Sequence, residues 1–288
     1  MIYQTTPGMY RVSWNGLQLG DGTGYFVKNL EGWDDDPGVD DGSAANPQSA
    51  GGQDGRLLPT ARTVTLDLDI VGDTQQETHE LRMALLRATP IIDQIGRLLT
   101  DKGFGPEFVN ARIIRRSIPL PIGFGNIVPV SLQWKAQDPR RYSLSEHKAV
   151  LHPYQAPPGL DFDFDLPFDF PANTGGYSNR ATLTNQGTYD TPLNIELKGP
   201  LQDPAFTLYT PERVRAYRVA FPLQAGDTLV IRPAPSTVVL NGSASRYGSI
   251  RGALIEDLFI PPGESTLALN GTGSDQASLT AYWRDAII

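Results

Sequence analysis

The chain has 288 residues, a formal net charge of −8 at pH 7, 40% hydrophobic and 19% charged residues, 29 glycines, 24 prolines and no cysteine. That length accommodates one large or two ordinary domains, two being the expectation here, and the composition suits an ordered protein of many short strands joined by turns. The acidic balance argues against affinity built on neutralising phosphates, while the lack of cysteine excludes disulfides, thiolate metal sites and cysteine nucleophiles.

The opening segment MIYQTTPGMYRVSWNG has no basic stretch followed by an apolar run, so it does not read as a signal peptide. No stretch approaches the roughly 20 apolar residues of a membrane span. Tyr10 to Leu19 and Tyr25 to Leu30 read as two strands around the turn Gly20-Asp21-Gly22. Residues 31–55 hold Asp34, Asp35, Asp36, Asp40, Asp41 and Asp54 among Gly, Asn, Ser and Pro, with almost nothing to bury, which predicts a long acidic loop.

Strict alternation over Val64–Ile70 puts Val64, Leu66, Leu68 and Ile70 on one face of a strand. Thr74 then reads as a helix N-cap with Glu77 three residues on, and Leu81, Leu85 and Ala88 share a stripe before Pro90 ends the helix. Two more strands are expected near Glu107 to Leu120 and Ile127 to Ala136, the second carrying Val130, Leu132, Trp134 and Ala136 on one face. Asp138-Pro-Arg-Arg-Tyr142 closes the region as a turn.

The expected domains are therefore an α+β unit over residues 1–152, a Pro/Asp/Phe-rich linker over 153–176, and a β-sandwich over 177–288. The last rests on alternating runs at Leu193–Lys198 and Leu279–Arg284, with apolar runs at 227–231, 237–240 and 266–269.

Four features in order resemble the distal tail (Dit) proteins of siphophages, especially those of phages of actinobacteria. They are Asp138-Pro-Arg-Arg-Tyr-Ser143; Asn185-Gln-Gly-Thr188 followed by Thr191-Pro-Leu193 and Gly199-Pro200; Pro261-Pro-Gly263 followed by an apolar strand and Gly271; and Trp283-Arg-Asp285. Their order and spacing carry the resemblance, which spans nearly the whole chain except the acidic loop and the linker. It implies a mainly β protein: an N-terminal ring-forming domain of a sheet plus one helix, then a galectin-like β-sandwich. It further implies a virion protein without enzymatic activity or cofactor, assembled in the host cytoplasm and placed at the distal end of the tail. Its copies would form a hexameric ring joining the tail tube protein to the tail hub protein. The outer domains would stiffen the tip or carry a receptor-binding protein. DNA would pass through without specific binding, for which an acidic subunit is suitable.

Three readings stand for the acidic segment: a calcium site built from Asp34, Asp35, Asp36, Asp40 and Asp41, a solvated loop, or an arm that contacts a neighbouring subunit. A closed ring needs two complementary surfaces on each subunit, and Arg112, Arg115, Arg116, Arg140 and Arg141 supply charge opposite to the arm. In the linker, Phe162, Phe164, Phe168 and Phe170 alternate with Asp161, Asp163, Asp165 and Asp169. They read as an interdomain anchor that docks its rings, against a glycosidase-like carboxylate pair. His79, His147 and His152 form no ligand motif, and nucleophile-elbow, phosphate-loop and dinucleotide signatures are absent. Trp283 shares a strand face with Leu279 and Ala281, which favours a core anchor over a platform for sugar; a host-surface carbohydrate-binding adhesin is the alternative function.

Overall fold

The alternation over Val64–Ile70 becomes the middle of a ten-residue strand, β8 (Arg62–Val71), whose four alternate apolar side chains are all buried. The computed structural model describes residues 11–119, 126–154 and 179–288, in two units: Met1–Leu144 with Ile287–Ile288, and Ser145–Ala286.

In the first unit, β1 (Arg11–Trp14) and β2 (Leu17–Leu19) form a hairpin. Its two-residue turn is Asn15-Gly16, with φ of 47° and 90°, the twin positive values that a tight hairpin requires. The expected single strand from Tyr10 to Leu19 is thus two strands. Gly20 and Tyr25 are bridged beyond them, before β3 (Tyr25–Glu31).

The expected acidic loop is a paired arm. β4 (Val39–Asp40) pairs with β7 (Leu58–Pro59), and β5 (Ala44–Ala45) pairs with β6 (Gly52–Gln53), all antiparallel. The Asn46 N–H donates to the Gly51 carbonyl at 3.1 Å near the tip. Pairing satisfies the backbone of a segment whose side chains have nothing to bury.

After β8, helix α1 (Gln75–Ala88) starts where expected: Thr74 accepts from the Glu77 N–H, and the Glu77 carboxylate accepts from the Asp73 N–H. β9 (Gly96–Asp101), β10 (Pro106–Ser117), β11 (Ile127–Ala136) and β12 (Arg141–Ser143) complete the unit. The main sheet runs β2-β1-β9-β10-β11-β8-β3, with β12 pairing to the start of β10. A bulge between Ile113 and Arg115 shifts the β10–β11 register.

This sheet curls upon itself. Trp14 on β1 and Trp134 on β11 stand three strands apart in the order, yet their rings lie 5.7 Å centre to centre. The enclosed core joins Val12, Leu98, Val109, Ile113, Leu132 and the β8 row, each such burial stabilising by about 1.5–3 kcal/mol. α1 closes it: Leu85 is buried, the Tyr25 hydroxyl donates to the Leu81 carbonyl at 2.8 Å, and the Trp14 indole N–H donates to the Ala88 carbonyl at 3.0 Å.

The second unit is two antiparallel sheets around one core, six strands beginning with His147–Leu151 and five beginning with Arg180–Asn185. Ile195, Leu197, Leu229 and Leu279 from the first meet Leu183, Phe206, Leu208 and Leu267 from the second. The expected runs at 193–198, 227–231, 237–240, 266–269 and 279–284 appear as strands, shifted by a few residues. The division between units falls after Leu144 and not at residue 152, because His147–Leu151 pairs along Leu279–Trp283 in the second unit's sheet. From residue 155 to 178 the chain lies outside the described residues. That range holds Phe162, Phe164, Phe168 and Phe170 of the expected interdomain anchor.

Candidate functional site: the acidic arm and its base

The arm leaves the main sheet at Gly32, after β3, and returns at β8. Gly32 has φ 77°, and a Cβ there would lie 2.0 Å from the Thr63 carbonyl oxygen, so only glycine lets the two strands approach this closely. Next to it Trp33 is buried in the core, which pins one foot of the arm.

Arg62 pins the other. It occupies the core-facing parity of β8 and is 1% exposed. Its Nε donates to the Pro139 carbonyl at 2.8 Å, and Nη1 donates to the carbonyls of Gly32, Trp33 and Asp35 at 2.8, 2.9 and 2.6 Å. One guanidinium therefore binds the start of the arm to the Asp138–Tyr142 turn. Nη2 is buried without a partner among the described residues. Burial, and then the nearby Arg141 charge, lower the Arg62 pKa, with Asp34, Asp35 and Asp36 opposing.

Charge on this base is matched locally. Asp34 pairs with Arg141 and Lys102, and Arg141 also meets Glu107 at 3.2 Å. Partial burial acts to raise the Asp34 pKa, but hydrogen bonds from Lys102 and Arg141 outweigh it and hold the carboxyl below its ordinary value. In the turn, Asp138 takes Arg140 at 2.9 Å and accepts from the Tyr142 hydroxyl at 2.6 Å. Burial first, and Asp138 next, push the Tyr142 pKa upward.

The residues singled out by sequence thus divide. Asp34, Arg140 and Arg141 hold partners at the base of the arm in the same chain. Asp35 accepts from the Gly32 N–H, and Asp40 and Asp41 accept from backbone N–H groups two residues on, shaping turns while their carboxylates stay exposed with that of Asp36. Arg112 meets Asp93 at 2.9 Å. Arg116 donates to the carbonyls of Leu86 and Thr89, capping the C-terminal end of α1. Arg115 takes part in no ion pair among the described residues.

Among the described residues no three His, Cys, Asp or Glu side chains gather closely enough to hold a metal ion. No helix among them is long and apolar enough to cross a membrane. His147 stacks on Trp283 and meets Asp285 at 2.9 Å, while the Trp283 indole N–H donates to the Thr184 carbonyl at 2.8 Å. Trp283 is buried and offers no open ring face for stacking.

Sequence reasoning passed over Arg62, although its signal was present: counting back by twos from Ile70 through Val64 puts an arginine on the buried face.

No protein-family model and no curated protein matches the sequence. Solved structures do match. The SPP1 Dit protein, described as a paradigm of the hub adsorption apparatus in phages infecting Gram-positive bacteria, aligns with a TM-score of 0.66 at 14% identity. The alignment covers 98% of this chain and 100% of that one. A chain of the phage P2 baseplate in its activated conformation with Ca aligns with a TM-score of 0.50 at 11% identity, covering 95% and 97%. The mainly β, two-part architecture is therefore that of the SPP1 Dit protein over essentially its whole length.

Proposed function

We propose that this chain is a structural subunit of a phage tail tip, a distal tail protein whose first unit assembles into a ring between the tail tube and the hub. One observation carries the reading: the end-to-end likeness to the SPP1 Dit protein, both units included. The motif order in the sequence points the same way independently of the fold. Hexameric closure, a central opening for DNA, contact with tube and hub proteins, and a galectin-like second unit that carries a receptor-binding protein extend that reading from the resemblance.

The arm supports a role in assembly. Its side chains are almost all exposed, and the buried Arg62, Trp33 and close-packed Gly32 hold its base. A projection held at the root and bare along its length is built to meet another surface. The carbohydrate-binding alternative loses its aromatic candidate, since Trp283 is enclosed.

Sedimentation of the full-length chain, followed by negative-stain imaging, tests the proposal. A closed ring of identical copies, alone or once tube or hub protein is added, is the expected result. A chain that remains monomeric with both partners present overturns it.

A further inference from the structure

Residues 89–96 run beside residues 111–116. Gly96 lies opposite Ala111, Asp93 meets Arg112, and the Thr89 carbonyl takes a hydrogen bond from Arg116. This corner of the first unit exposes four isoleucines: Ile91 at 59%, Ile92 at 52%, Ile95 at 71% and Ile114 at 40%. Ile114 is the extra residue at the β10 bulge, so the irregularity falls inside the patch. Clustered apolar exposure of this kind marks an interaction site more often than scattered single residues do.

Its charge is unbalanced as well. Arg112 stands directly opposite Lys135 across β10 and β11, and Arg115 is opposite Gln133. Like charges in facing positions oppose sheet pairing. Asp93 is the one acidic partner of Arg112 among the described residues, and neither Arg115 nor Lys135 takes part in an ion pair there. The corner is thus an apolar patch with surplus positive charge.

The arm has the opposite character. Between Asp36 and Arg56 it carries Asp36, Asp40, Asp41 and Asp54 against the single Arg56. Beside these charges it exposes Val39 at 54%, Leu57 at 66% and Leu58 at 47%. Asp40 and Leu58 face each other across β4 and β7, which puts carboxylate and apolar side chain at one level of the arm.

We propose that the isoleucine corner, with Arg112, Arg115 and Lys135, is the docking surface for the Val39/Leu57/Leu58 stretch of the acidic arm of a second copy of this chain. The proposal rests on the ring reading above and supplies its head-to-tail contact: one surface of each subunit is the arm, the other is this corner. Desolvated isoleucines and leucines supply the affinity, and the carboxylates facing Arg112, Arg115 and Lys135 fix the register and speed encounter.

The natural chain has no cysteine, so single cysteines report the contact cleanly. Full-length Leu58→Cys and Ile92→Cys proteins are prepared separately, then assembled together and oxidised, with each variant alone as control. The expected result is a disulfide-linked dimer enriched many-fold in the mixture over either control. Assembled particles whose mixture yields no more dimer than the controls overturn the proposed contact while leaving the ring intact. A mixture that sediments as monomer, even with tube and hub protein, overturns both. A charge exchange gives a second readout: Arg115→Glu with Lys135→Glu lowers assembly, and Asp40→Lys with Asp41→Lys in the same chain restores it. Failure of that restoration, with both variants folded, also counts against the contact.

Discussion

Replacing Arg62 with methionine keeps the length and apolar body of the side chain and removes the four hydrogen bonds that the guanidinium makes at the root of the arm. Four carbonyls lose a donor: Pro139, Gly32, Trp33 and Asp35. The bonds to Pro139 and Trp33 are fully buried, so those two oxygens are left without water, at about 1–3 kcal/mol each. Gly32 and Asp35 accept through half-buried bonds and can recover solvent. Against this stands the relief of removing a buried guanidinium whose Nη2 has no partner among the described residues. The net loss should be about 2–4 kcal/mol, drawn from the first unit. Urea unfolding of the full-length chain measures it, and amide exchange over residues 33–61 locates it. The variant should be less stable, with faster exchange through Trp33 and the arm. A loss under about 0.5 kcal/mol, the range of an ordinary surface change, with unchanged exchange in the arm, refutes the role assigned to Arg62.

Gly32→Ala should destabilise the same root, because its Cβ meets the Thr63 backbone at a positive φ; an unchanged urea midpoint would contradict this. Asp34 has a folded pKa held below its unfolded value, so its contribution is fully present above the unfolded pKa of about 3.9 and lost as pH falls through the folded one. Proteolysis within the arm should accordingly rise on acidification below about pH 4, and Asp34→Asn should remove that step. Thr74→Ala removes the cap of α1 and should cost about 1 kcal/mol in urea unfolding, with Thr74→Ser close to the natural chain.

Sequence was most informative where structure is local. β8 announced itself because both of its neighbours bury the same face, so its alternation is strict. α1 did so because Thr74, Glu77 and Pro90 mark its ends within the helix itself. The β1–β2 turn was missed although Asn15-Gly16 is a strong hairpin signal, since Val12 and Trp14 before it and Leu17 and Leu19 after it read together as one strand. The arm could not be read from side chains: its strands are two residues long and exposed, so only backbone pairing defines them. The division after Leu144 depends on His147–Leu151 finding a strand about 130 residues away, and no local pattern encodes that choice. The arm's root was legible only in part. The charges of Asp34 and Arg141 were visible, but their pairing within one chain was not, and the carbonyls gathered by Arg62 come from two segments distant from it and from each other in sequence.

The central claim is a collar of this polypeptide at the far end of a tail tube. A reconstruction of the tail tip from particles that contain the chain tests it most directly. The account predicts a ring of density below the last tube ring into which the first unit fits, with the arm of each copy lying across Ile92 of the next. Density for this chain elsewhere in the particle, or a junction built without it, would contradict the account.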